Sequence, residues 1–244
     1  MGPQAGLDLA EKLINLTRTT RDQDHIPFIL FSLPDTVPDR TAFLLGREDV
    51  NPAYAIAEQF EKMSAMGVTI AVMACNTAHA DPIFGLVMEL LQTRQVELRI
   101  LNMVQETVAY IRQTCPEIQR VGVLGTQGTY RARLYDQALE DMGLEVVLPD
   151  PVVRQDNIHA ALYSPSFGIK VCSGAVSEEA SSRVRAAIRH LRELGAEAVI
   201  LGCTELPLAV KEHQIDGVQI LDPARIIAEK LIRETYPDKL LLSG

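Results

Sequence analysis

Two stretches of this chain repeat one arrangement of glycine, apolar run and cysteine. In the first half Gly67 is followed by VTIAVMA and then by Cys75, and in the second half Gly195 is followed by AEAVILG and then by Cys203. Each glycine ends a helical pattern, a position that glycine favours. Each cysteine stands at the predicted carboxyl end of a strand, with threonine close behind it. Two occurrences with identical spacing argue against coincidence and indicate two related halves.

Short apolar runs alternate with helical patterns along the rest of the chain. Helices are predicted over 7–21, 51–66 and 176–194, and strands over 25–34, 68–74, 120–125 and 196–202. Such alternation predicts βαβ units on parallel sheets. We expect an α/β protein of two pseudo-symmetric lobes, each a parallel sheet flanked by helices. Ligands of open α/β sheets bind beyond the carboxyl ends of the strands, so we expect the site in the cleft between the lobes.

Composition narrows the classes of function. The 244 residues carry a formal net charge of −9, which disfavours nucleic-acid partners and anionic membrane surfaces. No run approaches the roughly 20 apolar residues of a membrane span, and the N-terminal segment does not read as a secretory signal. The four cysteines are too sparse for a disulfide framework, and no Cys/His cluster predicts a metal. We therefore expect a cytoplasmic protein with reduced thiols and without a metal.

A pair of cysteines suits the movement of a proton on and off a carbon atom, such as the α-carbon of an amino acid. One group on each side of that carbon is needed, one as base and one as acid. The ordinary cysteine pKa of about 8.5 keeps thiol and thiolate accessible near working pH. A single free cysteine is more commonly a small buried hydrophobe. The matched spacing favours the functional interpretation for Cys75 and Cys203, and Cys115 and Cys172 do not share that context.

Polar residues around the two cysteines are candidate substrate ligands. Asn76 and Thr77 follow the first cysteine at a strand-to-helix turn, where side-chain and backbone donors can hold a carboxylate, and Thr204 is the equivalent residue in the second half. Simple helix capping is the alternative for each of them. Thr126 belongs to the turn LGTQGT, which can form an anion-binding nest but does not have the spacing of a nucleotide-binding loop.

Two cations are further candidates. Arg40 follows a predicted strand in VPDRTAFLLG and could bind a second carboxylate with two hydrogen bonds, and Lys170 lies in FGIKVCSG. A solvated surface charge is the alternative for both. Glu205, directly after Thr204, could orient a thiol or receive an ammonium group, or could simply interact with the helix dipole.

Five segments, taken in order, resemble the aspartate racemase branch of the aspartate/glutamate racemase superfamily: MGPQAG, PDRTAFLLG, ACNTAHA, LGTQGT and LGCTELPL. The resemblance spans nearly the whole chain, and the ACNTAH and GCTEL pair is its most specific part. It implies a cofactor-independent enzyme, without pyridoxal phosphate, that interconverts L- and D-aspartate with Cys75 and Cys203 as reciprocal acid and base. It further implies Asn76, Thr77 and Thr204 near the α-carboxylate, Arg40 at the side-chain carboxylate, and Lys170 and Thr126 lining the site. A homodimer is expected.

The resemblance also implies a particular division of the chain. One lobe comprises residues 1–100 and 210–244, and the other comprises residues 101–209. Members of the superfamily place a strand and a Gly-Gly pair directly before MGPxA, whereas the sequence here begins at the Met of that motif. We therefore expect the first lobe to be short of a strand that would border the site. Either translation starts upstream, or the lobe folds with an incomplete sheet.

Several alternatives stay open at this stage. Within the superfamily, glutamate or a broader range of amino acids could be the substrate. Hydantoin racemases, maleate isomerases and arylmalonate decarboxylases share the expected architecture, although a decarboxylase needs only one protonating cysteine and the motif pair fits a maleate isomerase less well. From a different class, the chain could be a non-catalytic amino-acid-binding protein of the same fold.

Overall fold

A computed structural model describes residues 1–172 and 174–241. Seven strands are present in this part of the chain, namely β1 Ile70–Val72, β2 Arg99–Leu101, β3 Arg120–Gly125, β4 Glu145–Val147, β5 Ala198–Gly202, β6 Gln214–Ile215 and β7 Val218–Leu221. The longer helices are α1 Pro3–Asn15, α3 Ala53–Ala65, α4 Asp81–Thr93, α5 Met103–Thr114, α10 Glu178–Glu193 and α12 Pro223–Thr235.

Shorter helical segments connect these elements and shape the loops near the strand ends. The α-helical ones are α2 Arg40–Leu44, α6 Gln127–Arg131, α7 Asp136–Asp141, α8 Pro151–Val153, α9 Ala160–Tyr163 and α11 Leu206–Ala209. Three 3-10 turns span Asp22–Asp24, Asn76–His79 and Pro237–Lys239, and a π-helical turn spans Arg154–His159. Among the described residues, no helix combines the length and apolar character needed to cross a membrane.

The strands form two sheets. β1 and β2 pair in parallel, and the larger sheet has the order β4-β3-β5-β7-β6. All pairings of the larger sheet are parallel except the β6–β7 hairpin at its edge. Helices cover the sheets, and the predicted α/β fold with parallel sheets flanked by helices is confirmed.

The central strands of the larger sheet are buried on both faces. All five residues of β5 are buried, and they alternate between two hydrophobic clusters. Val199 and Leu201 join the cluster beneath α10, whereas Ala198 and Ile200 join the cluster beneath α5. This alternation is the two-residue period of a strand, and continuous burial explains why the sequence reads as one apolar run.

The smaller sheet lies between two pairs of helices. Ala71 packs with α3 and α4, and Ile70 and Val72 pack with α1 and α12. The two glycines that precede the cysteine-bearing strands behave as predicted, because Gly67 and Gly195 have φ values of +86° and +90°. Helices α3 and α10 end just before them, and glycine adopts this left-handed conformation without steric cost.

The strand predicted over residues 25–34 is wrong. Apart from the turn at its start, this segment is irregular, and the apolar side chains of Phe28 and Leu30 are exposed. A cavity of about 740 Å³ lies between residues 26–33 and the free edge of β1, with α1 and the end of α12 as its other walls. A strand needs a partner for its backbone hydrogen bonds, and the cavity separates this segment from the nearest one.

The larger sheet also takes in part of a segment that was predicted to belong to the first lobe. Strand β7 pairs with β5, and β6 pairs with β7, so residues 214–221 join the larger sheet and do not follow the predicted assignment of 210–244. Two apolar side chains of β7, Val218 and Ile220, pack in the cluster beneath α10 and hold β7 in the larger sheet. Helix α12 does pack against α1 and the smaller sheet. The remaining division into two lobes stays a prediction.

Candidate active site

The two cysteines singled out by their spacing lie at the ends of the two sheets. Cys203 follows β5 directly, and Cys75 comes three residues after β1, at the start of the 3-10 turn Asn76–His79. Both are free thiols; Cys75 is half-buried and Cys203 is buried. They line the same narrow cleft, whose volume of about 20 Å³ leaves room for about one water molecule.

The structure brings all eight predicted site residues to this cleft. Its walls include Arg40, Cys75, Asn76, Thr77, Thr126, Lys170, Cys203 and Thr204, together with Asp39, Tyr163 and Glu205. The eight come from five separate stretches of the sequence, so folding rather than local sequence assembles them. In the described part of the chain, no group of three or more His, Cys, Asp or Glu side chains is placed to hold a metal ion.

Buried hydrogen bonds fix the loop after Cys75. The Tyr135 hydroxyl donates a hydrogen bond to Oδ1 of Asn76, which turns the amide so that Nδ2 is its free end. Asn76 is 1% exposed, and its Nδ2 has no hydrogen-bond partner among the described residues. A buried donor without a partner costs free energy, and at the wall of a cleft it is available to a ligand oxygen.

His79 holds the backbone of the same loop. Its Nδ1 lies 2.9 Å from the carbonyl oxygen of Cys75, to which the Nδ1–H of a neutral imidazole donates. Burial lowers the pKa of His79 to about 4, so the ring is uncharged at neutral pH. This arrangement favours a structural role over the role of a proton relay.

Arg40 begins the short helix α2, which Asp39 caps by accepting a hydrogen bond from the Ala42 N–H at 2.7 Å. One guanidinium nitrogen donates to the Pro38 carbonyl oxygen at 3.0 Å, and the buried Nε has no partner in the described part of the chain. Burial opposes the charge of Arg40, but the charge of Cys75 and a hydrogen bond to it outweigh burial, so the pKa of the guanidinium is raised. A permanent cation therefore lies beside Cys75 and has donor capacity to spare.

The loop after Cys203 is joined to the first loop. Thr204 Oγ1 donates to the carbonyl oxygen of Ala74 at 3.2 Å, directly beside Cys75. Thr126 makes a second link, because Thr41 and Thr77 approach its hydroxyl at 3.1 and 3.4 Å.

The turn LGTQGT uses its glycines and threonines for packing. Thr126 and Thr129 cap α6 reciprocally, each side chain bonding the backbone N–H of the other at 3.2 Å. A Cβ on Gly128 would approach Thr41 Cα at 3.0 Å, so glycine permits α6 to lie against α2. The hydroxyl of Thr126 reaches the cleft but is already engaged with other threonines.

Lys170 pairs with the carboxylate of Glu205, two residues after Cys203. Its Nζ forms an ion pair with Oε1 of Glu205, a side chain that is 3% exposed. The other oxygen of Glu205 accepts a hydrogen bond from the Cys203 thiol at 3.1 Å. The sequence signal for Glu205 was its place two residues after the cysteine. Tyr135 and Tyr163 were missed altogether, since their distance along the chain gives no hint of proximity.

Burial and mutual charge give Cys203, Glu205 and Lys170 different protonation states. It raises the pKa of Cys203, and the nearby Glu205 carboxylate adds to this effect while Lys170 opposes it. Burial also raises the pKa of Glu205, but the charge and hydrogen bond of Lys170 outweigh it and lower that pKa overall. For Lys170, burial is outweighed by Cys203 and Glu205, and the pKa is raised. The loop after Cys203 therefore carries an ionised Glu205, paired with Lys170 from another loop, beside a protonated thiol.

The fold resembles solved racemases over nearly the whole chain. An aspartate racemase from Picrophilus torridus superposes with a TM-score of 0.80 at 25% identity, over 99% of this chain and 92% of that one. An aspartate racemase homologue from Pyrococcus horikoshii superposes with a TM-score of 0.68 at 25% identity, over 95% and 94% of the two chains. A glutamate racemase from Francisella tularensis shares the fold with a TM-score of 0.57 at 18% identity, over 98% and 80%.

The curated relatives are named glutamate racemases rather than aspartate racemases. A glutamate racemase of Bacillus cereus is 27% identical over 77% of this chain and 64% of its own length. One from Aquifex aeolicus is 28% identical over 68% of this chain, and the match covers 58% of that relative. The matches thus span about three fifths of these relatives. The sequence profile described as Asp/Glu/Hydantoin racemase matches residues 1–231, and the chain belongs to that family.

Proposed function

We propose that this protein is a cofactor-independent racemase that interconverts L- and D-aspartate. The observation that carries the proposal is the pair of free cysteines: Cys75 and Cys203 come from the ends of strands in two different sheets and line one cleft. A site with one thiol group on each wall can remove a proton from one face of a carbon and return a proton to the other face.

In this mechanism one cysteine acts as thiolate and the other as thiol. The thiolate takes the α-proton, the thiol donates its proton to the opposite face, and the two cysteines end with their protonation states exchanged. Arg40 lies beside Cys75 and stabilises negative charge there, both on the sulfur and on substrate oxygens. No external proton is consumed in the step, and the reverse reaction uses the same groups in exchanged roles.

The free donors of the cleft support a substrate with two carboxylates. Nδ2 of Asn76 and Nε of Arg40 are buried and unpaired among the described residues, and a carboxylate oxygen would satisfy either of them. Lys170 adds a second cation, partly balanced by Glu205. We propose that Asn76, Thr77 and Thr204 bind the α-carboxylate, that Arg40 and Lys170 bind the side-chain carboxylate, and that Thr126 completes the wall. An amino acid is larger than the cleft, so binding requires the cleft to widen.

We propose aspartate rather than glutamate as the substrate because of the solved relatives. The two structures that superpose at 25% identity are an aspartate racemase and an aspartate racemase homologue. Glutamate is the second candidate, because the curated relatives at 27% and 28% identity are glutamate racemases. The two substrates differ by one methylene group, which typically changes specificity by about 10- to 200-fold.

Exchange of solvent deuterium into the α-position of amino acids tests the proposal. Purified protein in deuterated buffer is incubated with aspartate, glutamate, alanine and serine, and mass spectrometry follows the isotope while chiral chromatography follows inversion. We expect exchange with inversion for aspartate at a higher kcat/KM than for glutamate. A higher kcat/KM for glutamate would identify glutamate, not aspartate, as the substrate. Binding of aspartate without any exchange would identify a non-catalytic amino-acid-binding protein.

A further inference from the structure

One buried carboxylate contacts the Cys203 thiol and two of the polar groups beside it. Glu205 lies just before α11, and its Oε2 accepts a hydrogen bond from Cys203 Sγ at 3.1 Å. The same oxygen lies 3.3 Å from Thr204 Oγ1, whose single proton it shares with the Ala74 carbonyl oxygen. Oε1 of Glu205 pairs with the ammonium group of Lys170. With 3% of its surface exposed, Glu205 has little access to water, so these contacts fix its position.

The contact between Glu205 and Cys203 is possible in only one protonation state of the pair. Lys170 keeps Glu205 ionised, and an ionised carboxylate can only accept hydrogen bonds. The proton of the 3.1 Å contact must therefore belong to the sulfur. A thiolate at the same place would put two anions against each other in a buried site, which is strongly unfavourable.

Cys75 has the opposite surroundings. The guanidinium group of Arg40 lines the same cleft and attracts negative charge on the Cys75 sulfur. The two thiols of the site are thus distinguished by their neighbours: Cys75 has the cation Arg40, whereas Cys203 has a carboxylate that accepts its proton, with the cation Lys170 paired to that carboxylate.

We propose that Glu205 is a positioning residue that holds Cys203 as the proton donor and leaves Cys75 as the base of the resting enzyme. The inference rests on the proposed racemase function and adds a division of labour to it. In a turnover that starts from the resting state, the Cys75 thiolate takes the α-proton while the Cys203 thiol gives its proton to the opposite face. The product state carries a Cys203 thiolate, for which Lys170 is the nearby counter-ion, and proton exchange between the thiols and solvent restores the resting state.

Other ionisable groups near Cys203 do not provide an alternative acceptor. Tyr163 and Tyr130 face it, and burial raises the pKa of each phenol to about 12. Burial likewise raises the pKa of Tyr135. All three stay neutral near pH 7, so the charges that act on Cys203 are those of Lys170 and Glu205.

The ionisation of each cysteine can be followed without reference to activity. Protein labelled with 13Cβ-cysteine is titrated by NMR, and the Cys75→Ser and Cys203→Ser variants assign the signals. In the wild-type protein we expect Cys203 to remain a thiol near neutral pH, because Glu205 accepts its proton. In Glu205→Gln the thiolate fraction of Cys203 at a given pH should rise at least about tenfold, because a negative neighbour is removed and Lys170 is released.

Two further variants sharpen the test. Glu205→Asp retains the carboxylate and should keep most of the wild-type titration of Cys203. Glu212→Gln removes an exposed carboxylate that pairs with Arg185 on the surface, and it should leave both cysteines unchanged. A second readout is the pH profile of kcat/KM, whose alkaline limb should move to lower pH in Glu205→Gln.

An unchanged Cys203 titration in Glu205→Gln would overturn the inference. If that variant does not fold, the wild-type titration decides: a Cys203 that is already a thiolate near neutral pH would overturn the inference equally. Neither result bears on whether the protein racemises aspartate, which the deuterium assay measures separately. If the titrations are as expected but no amino acid exchanges its α-proton in that assay, the proposed function would be wrong and the role of Glu205 in the titration of Cys203 would stand.

Discussion

The hydroxyl group of Tyr135 donates a hydrogen bond to Oδ1 of Asn76, 59 residues earlier in the chain. The same ring lies against Gly202, where an added Cβ would stand 3.2 Å from ring atom Cε2. Tyr135 is fully buried and thus connects the loop of one cysteine with the residue that precedes the other. This connection fixes the direction in which the Asn76 amide points into the cleft.

We predict that Tyr135→Phe lowers activity more than its effect on folding explains. The change leaves the ring in place but removes the hydrogen bond, so the Asn76 amide loses its fixed orientation and one buried acceptor loses its donor. The expected cost is about 1–3 kcal/mol, seen as a rise in KM for aspartate and a reduced melting temperature. Tyr110→Phe on α5, outside the cleft, is the control. Wild-type KM in Tyr135→Phe would contradict the proposed role of the amide.

Gly202 is predicted to tolerate no side chain. A Cβ there would lie 2.9 Å from the carbonyl oxygen of Leu124 as well as against Tyr135, so Gly202→Ala must displace either a strand or the ring. We expect destabilisation of about 1–3 kcal/mol and loss of racemisation, since Cys203 is the next residue. Gly85→Ala is the matched control: its Cβ would meet nothing within 4 Å, and in helix α4 it should stabilise by about 0.5–1 kcal/mol. Denaturant unfolding of both variants measures the contrast, and equal free energies of unfolding would refute it.

His79 is predicted to make stability depend on pH. Its pKa is lowered from 6.5 to about 4 by burial, so the unfolded chain takes up the proton before the folded one does. The contribution of the neutral ring is complete above about pH 6.5 and is lost as pH falls through about 4, up to about 3 kcal/mol in all.

Urea unfolding at about pH 7 and about pH 4.5 measures this dependence. His79→Asn keeps a donor for the Cys75 carbonyl but cannot titrate, and it should show a smaller loss of free energy of unfolding between the two pH values than the wild type. His213→Asn, an exposed position, should retain the wild-type loss. An identical loss in His79→Asn would show that other groups cause the dependence.

The cavity beside β1 is predicted to be a place where stability can be gained. Met1 and Gly2 line it, and the open edge of β1 offers unpaired backbone groups along it. We expect that an apolar strand followed by Gly-Gly, added before Met1, would pair with this edge and fill the cavity. Each buried aliphatic side chain would contribute about 1.5–3 kcal/mol, which should raise both melting temperature and turnover. An extension of equal length made of Ser and Gly is the control, and equal values for the two extensions would argue against pairing at this edge.

The sequence predicts much of this architecture because buried parallel strands leave a strong pattern. Continuous apolar runs locate β1 and β5, and glycines with positive φ mark the ends of the preceding helices. Residues directly after such strands must lie at the carboxyl edge of the sheet. Hence Cys75 and Cys203 could be placed at the site without knowledge of the fold.

Features that depend on distant parts of the chain could not be predicted. Residues 25–34 have the composition of a strand, but no strand in the described part of the chain pairs with them. Tyr135 reaches Asn76 only because α7 packs beneath the larger sheet, and nothing near either residue in sequence indicates this. The role of Glu205 likewise depends on Lys170, which enters from a loop 35 residues away.

Racemisation of aspartate by cysteine variants tests the two-base account most directly. Chiral chromatography would follow inversion of L- and D-aspartate by the wild type and by Cys75→Ser and Cys203→Ser, with Cys115→Ser and Cys172→Ser as controls outside the cleft. The account predicts that each of the first two variants loses inversion by at least about 10²- to 10⁴-fold while both controls retain it. Inversion at the wild-type rate in either Cys75→Ser or Cys203→Ser would contradict it.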